Sequence, residues 1–362
     1  MNRSHNYYAG PAAMPTEVML EAQAELLDYK GTGMSIMETS HRSKEYDAIH
    51  CEAIEMLKSL LGLGDDYSVM FLQGGASMQF AMIPMNFLNA NNSADYITTG
   101  AWSKKALKEA KIIGNAKVAA STEVDGVFTS LPKQTDLTLD PNAAYCHLTS
   151  NNTIYGTQFS KFPTTGNVPM VIDMSSDILS KPVDLTNVGV IYAGAQKNLG
   201  PAGVTLVIMR KDMLEKCNDG LPTMLSYKTH AEANSLFNTC PTFPIYMVNK
   251  VLHWIINNGG LEGMAKRNEA KGKLIYNAID GSGGYYVNKI AAEDRSLMNV
   301  VFNLPTAELE AKFVKEATAA RFFGVKGHRS IGGIRASIYN AASVESVTAF
   351  TEFMAQFAAK NS

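Results

Sequence analysis

From about residue 16 the chain alternates between two hydrophobic periods. "TEVMLEAQAELLDY" and "YDAIHCEAIEMLKSLLGL" carry apolar residues at helical spacing, the second through Ile49, Ala53, Met56 and Leu60. "YSVMFLQGGASMQFAMIPMNFL" predicts strand, Gly-Gly turn, helix, and "DYITTGAWSKKALKEAKIIG" repeats strand, turn, helix. "AYCHLTSNNTIYG", "VPMVIDMSS", "VGVIYAGAQKN" and "GVTLVIM" are short apolar runs bounded by turn residues, which read as buried strands. Strands alternating with helices predict an α/β protein on a mostly parallel sheet.

The texture changes near residue 241. "FPIYMVNKVLHWIINNGGLEGMAKRNEAKGKLIYNAID" predicts two long helices around a Gly-Gly break, with His253 and Trp254 in the core. "GSGG" at 281–284 reads as a helix-to-strand turn. Then come "GYYVN", "SLMNVVFNL", a helix from about Ala307, a Gly-rich turn, "IRASIYN", and a closing helix with Val347, Phe350, Met354 and Phe357 on one face. The expected organisation is a large domain over residues 16–260 and a smaller α+β domain made of residues 1–15 and 261–362.

Composition narrows the function classes. The chain has 362 residues, 46% hydrophobic and 18% charged, with 32 basic and 34 acidic residues. A near-neutral balance without a dense basic run argues against nucleic-acid binding. Cys51, Cys146, Cys217 and Cys240 form no C-x-x-C pair, which argues against a zinc or redox site and predicts no metal and a reducing cytosol. "MNRSHNYYAGP" lacks an apolar core and no run approaches a membrane span, so a cytoplasmic protein without membrane contact is expected.

In an open α/β sheet, ligands bind beyond the carboxyl ends of the strands. Candidate groups fall at four such ends. Gly74 and Gly75 follow a strand, and Ala76 and Ser77 open a helix whose free amides suit a phosphate. Trp102 stands between strand and helix, either as core or as a face for a flat ring. Asp173 ends an apolar strand, as a cap or as a charged partner for a ligand. Lys197 lies in "GAQKNLGPAG", as a solvated turn residue or as an amine that attacks a carbonyl. Each has an ordinary explanation alone. Together they match pyridoxal 5'-phosphate: amides for its phosphate, an aromatic face for its ring, a carboxylate for its pyridine nitrogen and a lysine for its aldehyde. Thr153 and Gln196 are placed to add hydrogen bonds.

"YYAGPAAMP", "ETSHRSKEY", "GGASMQFAMIPMN", "GAWSKKA", "SNNTIYGTQF", "GAQKNLGPAGVT" and "IGGIRASIYNA" follow one another in the order of a known family. Over essentially its whole length the chain resembles the phosphoserine aminotransferases, class V members of the fold-type I pyridoxal-phosphate enzymes. The resemblance implies that Lys197 is the Schiff-base lysine, that Asp173 holds the pyridine nitrogen and that Trp102 stacks on the ring. It implies cofactor contacts from Ala76, Ser77, Thr153 and Gln196, and from Asn238 and Thr239 across a homodimer. Arg335 takes the substrate α-carboxylate; His41 and Arg42, with His328 and Arg329 from the partner chain, take the distal anion. Some family members carry an arginine where this chain has Ser77, so here the distal anion depends more on Arg42, His328 and Arg329.

The implied reaction moves the amino group of L-glutamate to 3-phosphohydroxypyruvate, giving O-phospho-L-serine and 2-oxoglutarate in serine biosynthesis; some relatives also act on the route to pyridoxine. Such a transaminase needs a fixed carboxylate clamp, which a bidentate arginine suits, and one adaptable anion site. "SHRS" and "GHRS" supply two His-Arg pairs, whose ordinary explanation is surface charge. Two alternatives are cysteine desulfurase, which needs a nucleophilic cysteine downstream although none follows Cys240, and a non-enzymatic cofactor-binding regulator, which would bring a basic appendage that neither terminus has.

Overall fold

The computed structural model describes residues 3–361; Met1, Asn2 and Ser362, at the ends of the expected small domain, lie outside them. The chain runs β1 (His5–Asn6), α1 (Thr16–Ala24), α2 (Lys44–Leu61), β2 (Tyr67–Leu72), α3 (Gly75–Phe87), β3 (Ser93–Thr98), α4 (Ala101–Ile113) and β4 (Asn115–Ser121). A small hairpin, β5 (Glu123–Val124) and β6 (Val127–Phe128), precedes β7 (Tyr145–Thr149), β8 (Met170–Asp173), β9 (Val188–Gly194) and β10 (Thr205–Arg210). Helices α5 (Lys211–Glu215), α6 (Tyr227–Glu232), α7 (Thr242–Asn257) and α8 (Gly260–Asp280) follow. The chain ends with β11 (Asn299–Phe302), α9 (Ala307–Ala319), β12 (Phe322–Phe323), β13 (Ile334–Ser337) and α10 (Val344–Asn361).

The central sheet has the order β2-β10-β9-β8-β7-β3-β4. Pairs from β9 through β4 are parallel, and β10 runs antiparallel to both β9 and β2. A parallel crossover needs a dozen or more residues and usually a helix. Residues 195–204 between β9 and β10 contain no helix, so the chain must turn straight back. Because β2 is antiparallel to β10, its carboxyl end returns to the edge shared by β3, β7, β8 and β9.

The strands alternate between two cores, except where the register shifts in β4 and at the start of β9. In β10, Leu206 and Ile208 join one apolar cluster with α2 and α7, while Val207 and Met209 join the other with α3 and α4. Ile191 and Ala193 of β9 face the first cluster and Val190 and Tyr192 the second. Such two-faced burial explains why these strands read as continuous apolar runs.

A third core gathers Tyr7 with residues of α8, β11, α9, β12, β13 and α10. β1 pairs in parallel with β12, His5 opposite Phe322, and the Tyr7 hydroxyl donates to the Ser346 carbonyl at 2.8 Å, so the N-terminal segment packs here. Helix α8 joins the two regions: Leu261 and Met264 pack under the sheet, Ile275, Tyr276 and Ile279 in the third core. Helix α8, which starts at the expected boundary near residue 260, thus packs in both regions.

Two local expectations are corrected. His253 is half-exposed rather than core, with Nε2 3.2 Å from Glu52 Oε1, whereas Trp254 is buried. The first helix stops at Ala24 instead of reaching Tyr29: Glu25 caps it, with its carboxylate accepting from the Tyr246 hydroxyl at 2.6 Å, and Leu27 beyond it is exposed. No described helix is long and apolar enough to cross a membrane.

Phe313 is fully buried, with ring centroids of Phe302, Phe350, Phe353, Phe357 and Tyr286 at 5.0–6.1 Å. Phe313→Ala should destabilise this core by about 3–5 kcal/mol. The measurement is the denaturant midpoint followed by circular dichroism, and a change below about 1 kcal/mol would show that the ring cluster does not hold this region together.

Candidate active site

The cavity lies at the carboxyl edge of the sheet, under the third core, with a volume of about 330 Å³. That is the lower end of the range for small-molecule sites. Lys197, Asp173, Trp102, Ala76, Ser77, Thr153, Gln196, Arg335 and His328 all line it.

Lys197 is set by the β9–β10 reversal. Ala195 N donates to Val204 O at 3.1 Å, closing the turn, and Leu199 N and Gly200 N both donate to Ala195 O. Ala12 N donates to Gln196 O at 2.9 Å, so the N-terminal segment lies across the loop. Gly10 of this segment has a φ of 148°, which side-chain-bearing residues rarely adopt, and its backbone lies beside the Lys197 stem. The Lys197 ammonium donates to Thr153 Oγ1 at 2.8 Å. Burial is the main cause that brings its pKa down to about 8; Arg335 adds to the fall, and Asp173 and Asp177 partly oppose it.

Asp173 ends β8, buried, and one carboxylate oxygen accepts from Ser175 N at 2.9 Å. Burial raises its pKa, against the Ser175 hydrogen bonds and the Lys197 charge. Behind it, Asp177 is buried, accepts from Ser150 Oγ and from Gln158 Nε2, and is pushed up to about 6, mainly by burial.

Helix α3 supplies an anion-binding end. Gly74 and Gly75 have φ of 91° and 65°, and a Cβ on Gly74 would come within 2.5 Å of Met78 Cβ, so only glycine fits there. A Cβ on Gly75 would meet nothing within 4 Å, so the ground before the helix is open. The amides of Gly75, Ala76 and Ser77 belong to the first turn, which has no intrahelical acceptor. Trp102 is placed by the start of α4. Gly100 lies so close to Asn152 that a Cβ would be 2.4 Å from its Oδ1, and Ser103 Oγ accepts from Thr99 N and Gly100 N. The Lys105 ammonium sits 4.3 Å from the indole centroid.

Arg335 comes from the third core. Ile334 and Ala336 of β13 are buried there, so the alternation turns Arg335 the other way, and its Nη1 donates to Thr153 O at 3.3 Å. Burial lowers its pKa. Thr153 therefore meets both cations, Lys197 through its hydroxyl and Arg335 through its carbonyl. Around this cavity Trp102 Nε1, Thr149 Oγ1 and Arg335 Nε are buried without hydrogen-bond partners. Buried polar groups rarely stay unpaired, so these three are suited to a polar guest.

His328, which the resemblance assigns to the partner chain's site, lines the cavity of its own chain. Its pKa is lowered by burial first and then by Arg335, Arg329 and Lys105. Arg329 is exposed and borders a neighbouring groove. His41, Arg42, Asn238 and Thr239 do not reach this cavity, yet they share one region of the surface. Ser43, just after Arg42, caps α2 by accepting from Tyr46 N, and the Tyr46 hydroxyl lies 3.0 Å from Cys240 Sγ, just after Thr239. The exposed Phe237 stands beside them. Sequence reasoning missed Gly10, Phe80, Thr149, Asn151, Ser175 and Ser176 in the lining. "MSS" directly after Asp173 was the available signal for the two serines, since a strand-end loop faces the ligand edge; Gly10 and Asn151 come from segments that only the fold brings in. Among the described residues no group of three or more His, Cys, Asp or Glu could hold a metal ion.

A lysine whose pKa burial brings down to about 8, a carboxylate, an indole, a helix N-terminus and a guanidinium stand around one cavity of a fold-type I architecture, and the chain belongs to the class V aminotransferase family, whose profile, Aminotransferase class-V, matches residues 5–350. The chain is 55% identical over 359 residues to a phosphoserine aminotransferase of Lysinibacillus sphaericus, covering 99% of both chains. It superposes on the solved phosphoserine aminotransferase from Bacillus circulans subsp. alkalophilus with a TM-score of 0.97 at 55% identity, covering 99% of each. A PLP-bound phosphoserine aminotransferase from Trichomonas vaginalis is 40% identical with a TM-score of 0.93, covering 98% of this chain and 100% of that one.

The lowered Lys197 pKa has a direct readout. In cofactor-free protein, reductive methylation of Lys197 by formaldehyde and borohydride should rise with pH to half its maximum near pH 8, where the neutral amine forms. A midpoint near the ordinary lysine value of about 10.4 would contradict the buried setting. Lysine proton binding favours the unfolded chain here, so this group's contribution to stability should increase as pH rises from about 8 to the ordinary lysine value.

Proposed function

We propose that the protein is a pyridoxal-phosphate-dependent phosphoserine aminotransferase, which transfers the amino group of L-glutamate to 3-phosphohydroxypyruvate and forms O-phospho-L-serine and 2-oxoglutarate. The observation that carries this reading is Thr153, which joins Lys197 and Arg335 in one cavity lined by Asp173 and Trp102. The full-length likeness to phosphoserine aminotransferases supports the substrate assignment.

The residues present fit the cofactor. The amides at the start of α3, with Ala76 and Ser77, suit its phosphate; Trp102 suits its ring; Asp173 suits its pyridine nitrogen; and Thr153 and Gln196 flank Lys197, which suits its aldehyde. When bound, pyridoxal phosphate supplies the electron sink for the substrate carbanion. The protein supplies position and proton transfer. Arg335, with Nη1 fixed on Thr153 and Nε free, takes the amino-acid α-carboxylate. The Lys197 amine, neutral in a useful fraction near pH 8, removes the Cα proton as a base and returns it as an acid. Burial under the third core keeps water from that exchange.

The distal end of the substrate must accept either a carboxylate or a phosphate. His328 and Arg329 are assigned to it from the same protomer, with His41 and Arg42 contributed across a homodimer. Asn238 and Thr239 are assigned to the partner's cofactor phosphate. Their shared placement with His41 and Arg42, away from their own cavity, supports this division. Four free cysteines fit a cytoplasmic setting.

Three measurements test the reading. Purified protein should be yellow, and borohydride should fix the cofactor to the peptide containing Lys197; Lys197→Ala should abolish both the trapping and the coupled activity with phosphoserine and 2-oxoglutarate. Labelling of another lysine would remove the assignment. Mixing Lys197→Ala with Asn238→Ala/Thr239→Ala subunits under exchange conditions should restore about a quarter of wild-type activity, since half of the dimers carry one intact site in two. Activity that stays at the level of the separate variants would count against shared sites. Arg329→Leu should lower kcat/KM for phosphoserine by about tenfold or more, the size of a lost charge-assisted phosphate contact, and should lower it less for glutamate. Equal losses for both substrates would remove the phosphate-reading role.

A further inference from the structure

The segment that carries His328 and Arg329 is a pinched loop. Gly327 N donates to Gly333 O at 2.8 Å, closing its neck, and Ile331 N and Gly332 N both donate to His328 O inside it. The neck is so narrow that a Cβ on Gly327 would lie 1.9 Å from Gly332 O. Gly332 and Gly333 have φ of 67° and 70°, which side-chain-bearing residues rarely adopt. Two residues later the same backbone enters β13 with Arg335.

One carboxylate from outside the loop holds this neck. Glu310, on the first turns of α9, accepts from Gly333 N at 3.0 Å through Oε2. Through Oε1 it accepts from Asn303 Nδ2 at 2.9 Å and from Leu304 N at 3.3 Å, at the end of β11. Three donors from two separate segments thus converge on one side chain. Glu310 and the loop also line the same groove, with Arg329 on its rim. Among the described residues the side-chain hydrogen bonds of the loop tip are internal, Ser330 with His328, and Arg329 makes no ion pair, while Ile331 packs against the Phe128, Ile154 and Tyr155 cluster.

We propose that Glu310 is a positioning residue for recognition of the substrate's distal anion. It fixes the neck of the 327–333 loop on α9 and β11, so that His328 and Arg329 are presented without the entropic cost of ordering a free loop at binding. This rests on the assignment of those two residues to the distal anion. A carboxylate suits the role because both its oxygens accept. A glutamine would have to turn its amide nitrogen toward one set of donors, so it keeps only part of the bracket.

The test uses cofactor-loaded protein with two readouts. Lys326 and Arg329 are exposed trypsin sites on the loop. Glu310→Ala should speed tryptic cleavage after these residues and raise KM for phosphoserine about three- to tenfold with kcat nearly unchanged, the scale of an ordinary net hydrogen-bond contribution. The glutamate half-reaction should move less, and Glu310→Gln should fall between wild type and Glu310→Ala in both readouts. Unchanged cleavage together with unchanged KM would overturn the proposal. So would equal losses for both substrates with a large fall in Tm, which would make Glu310 a general fold residue. Faster cleavage with normal phosphoserine KM, while Arg329→Leu is impaired, would also overturn it, because the anion site would then work without the bracket. If Arg329→Leu is itself normal, the distal-anion assignment is what fails, and the cleavage rates still report separately whether Glu310 holds the loop.

Discussion

The reversal between β9 and β10 is the constraint on which the site depends. With no helix between the strands, the chain can return only antiparallel, and the loop must stay at the carboxyl edge of the sheet. The Ala195–Val204 backbone bond closes that loop, and both flanking strands are buried on two faces, so the loop cannot drift. Lys197 is thereby held by the sheet itself. The next residue extends the hold: Asn198 Oδ1 accepts from Asn340 N at 2.9 Å, and Asn340 Nδ2 donates to Leu179 O at 2.9 Å. One buried amide pair joins the lysine loop, the segment after Asp173 and the chain just beyond the strand that carries Arg335. Rigid support of this kind keeps reacting groups near a productive geometry.

The electrostatics follow from the same burial. A lysine and an arginine share Thr153, burial weighs against both charges, and the price is a lysine that gives up its proton easily. Asp173 and Asp177 lie below and limit the fall, since their charge favours the ammonium form. Moved to a solvated turn, the same lysine would return to its ordinary range. Further from the site, burial also lowers the pKa of Lys271, whose amine donates to Ile338 O and Tyr339 O and ties α8 to the chain just beyond β13.

The protomer separates two tasks in space. Its own cavity gathers the groups suited to proton transfer and to the α-carboxylate. His41, Arg42, Asn238 and Thr239 lie outside it, on two segments that the Tyr46–Cys240 contact brings near each other.

Periodicity by itself determined the α/β alternation, because strands buried on both faces must be apolar throughout and the helices must each bury one stripe. It also marked Gly74–Gly75, Trp102, Asp173 and Lys197 as strand-end residues, since such ends carry turn chemistry directly after an apolar run. Motif order carried the family. Only the tertiary structure decided the antiparallel β10, the bridging course of α8 and the half-exposure of His253. Those depend on connection length and on neighbours distant in sequence. The same holds for His328, which lines its own chain's cavity from the loop ahead of β13. Thr153, Asn151 and Glu310 show the reason most plainly. Each works through hydrogen bonds to residues far away along the chain or brought by another element, and a hydrophobic pattern records burial but not partners.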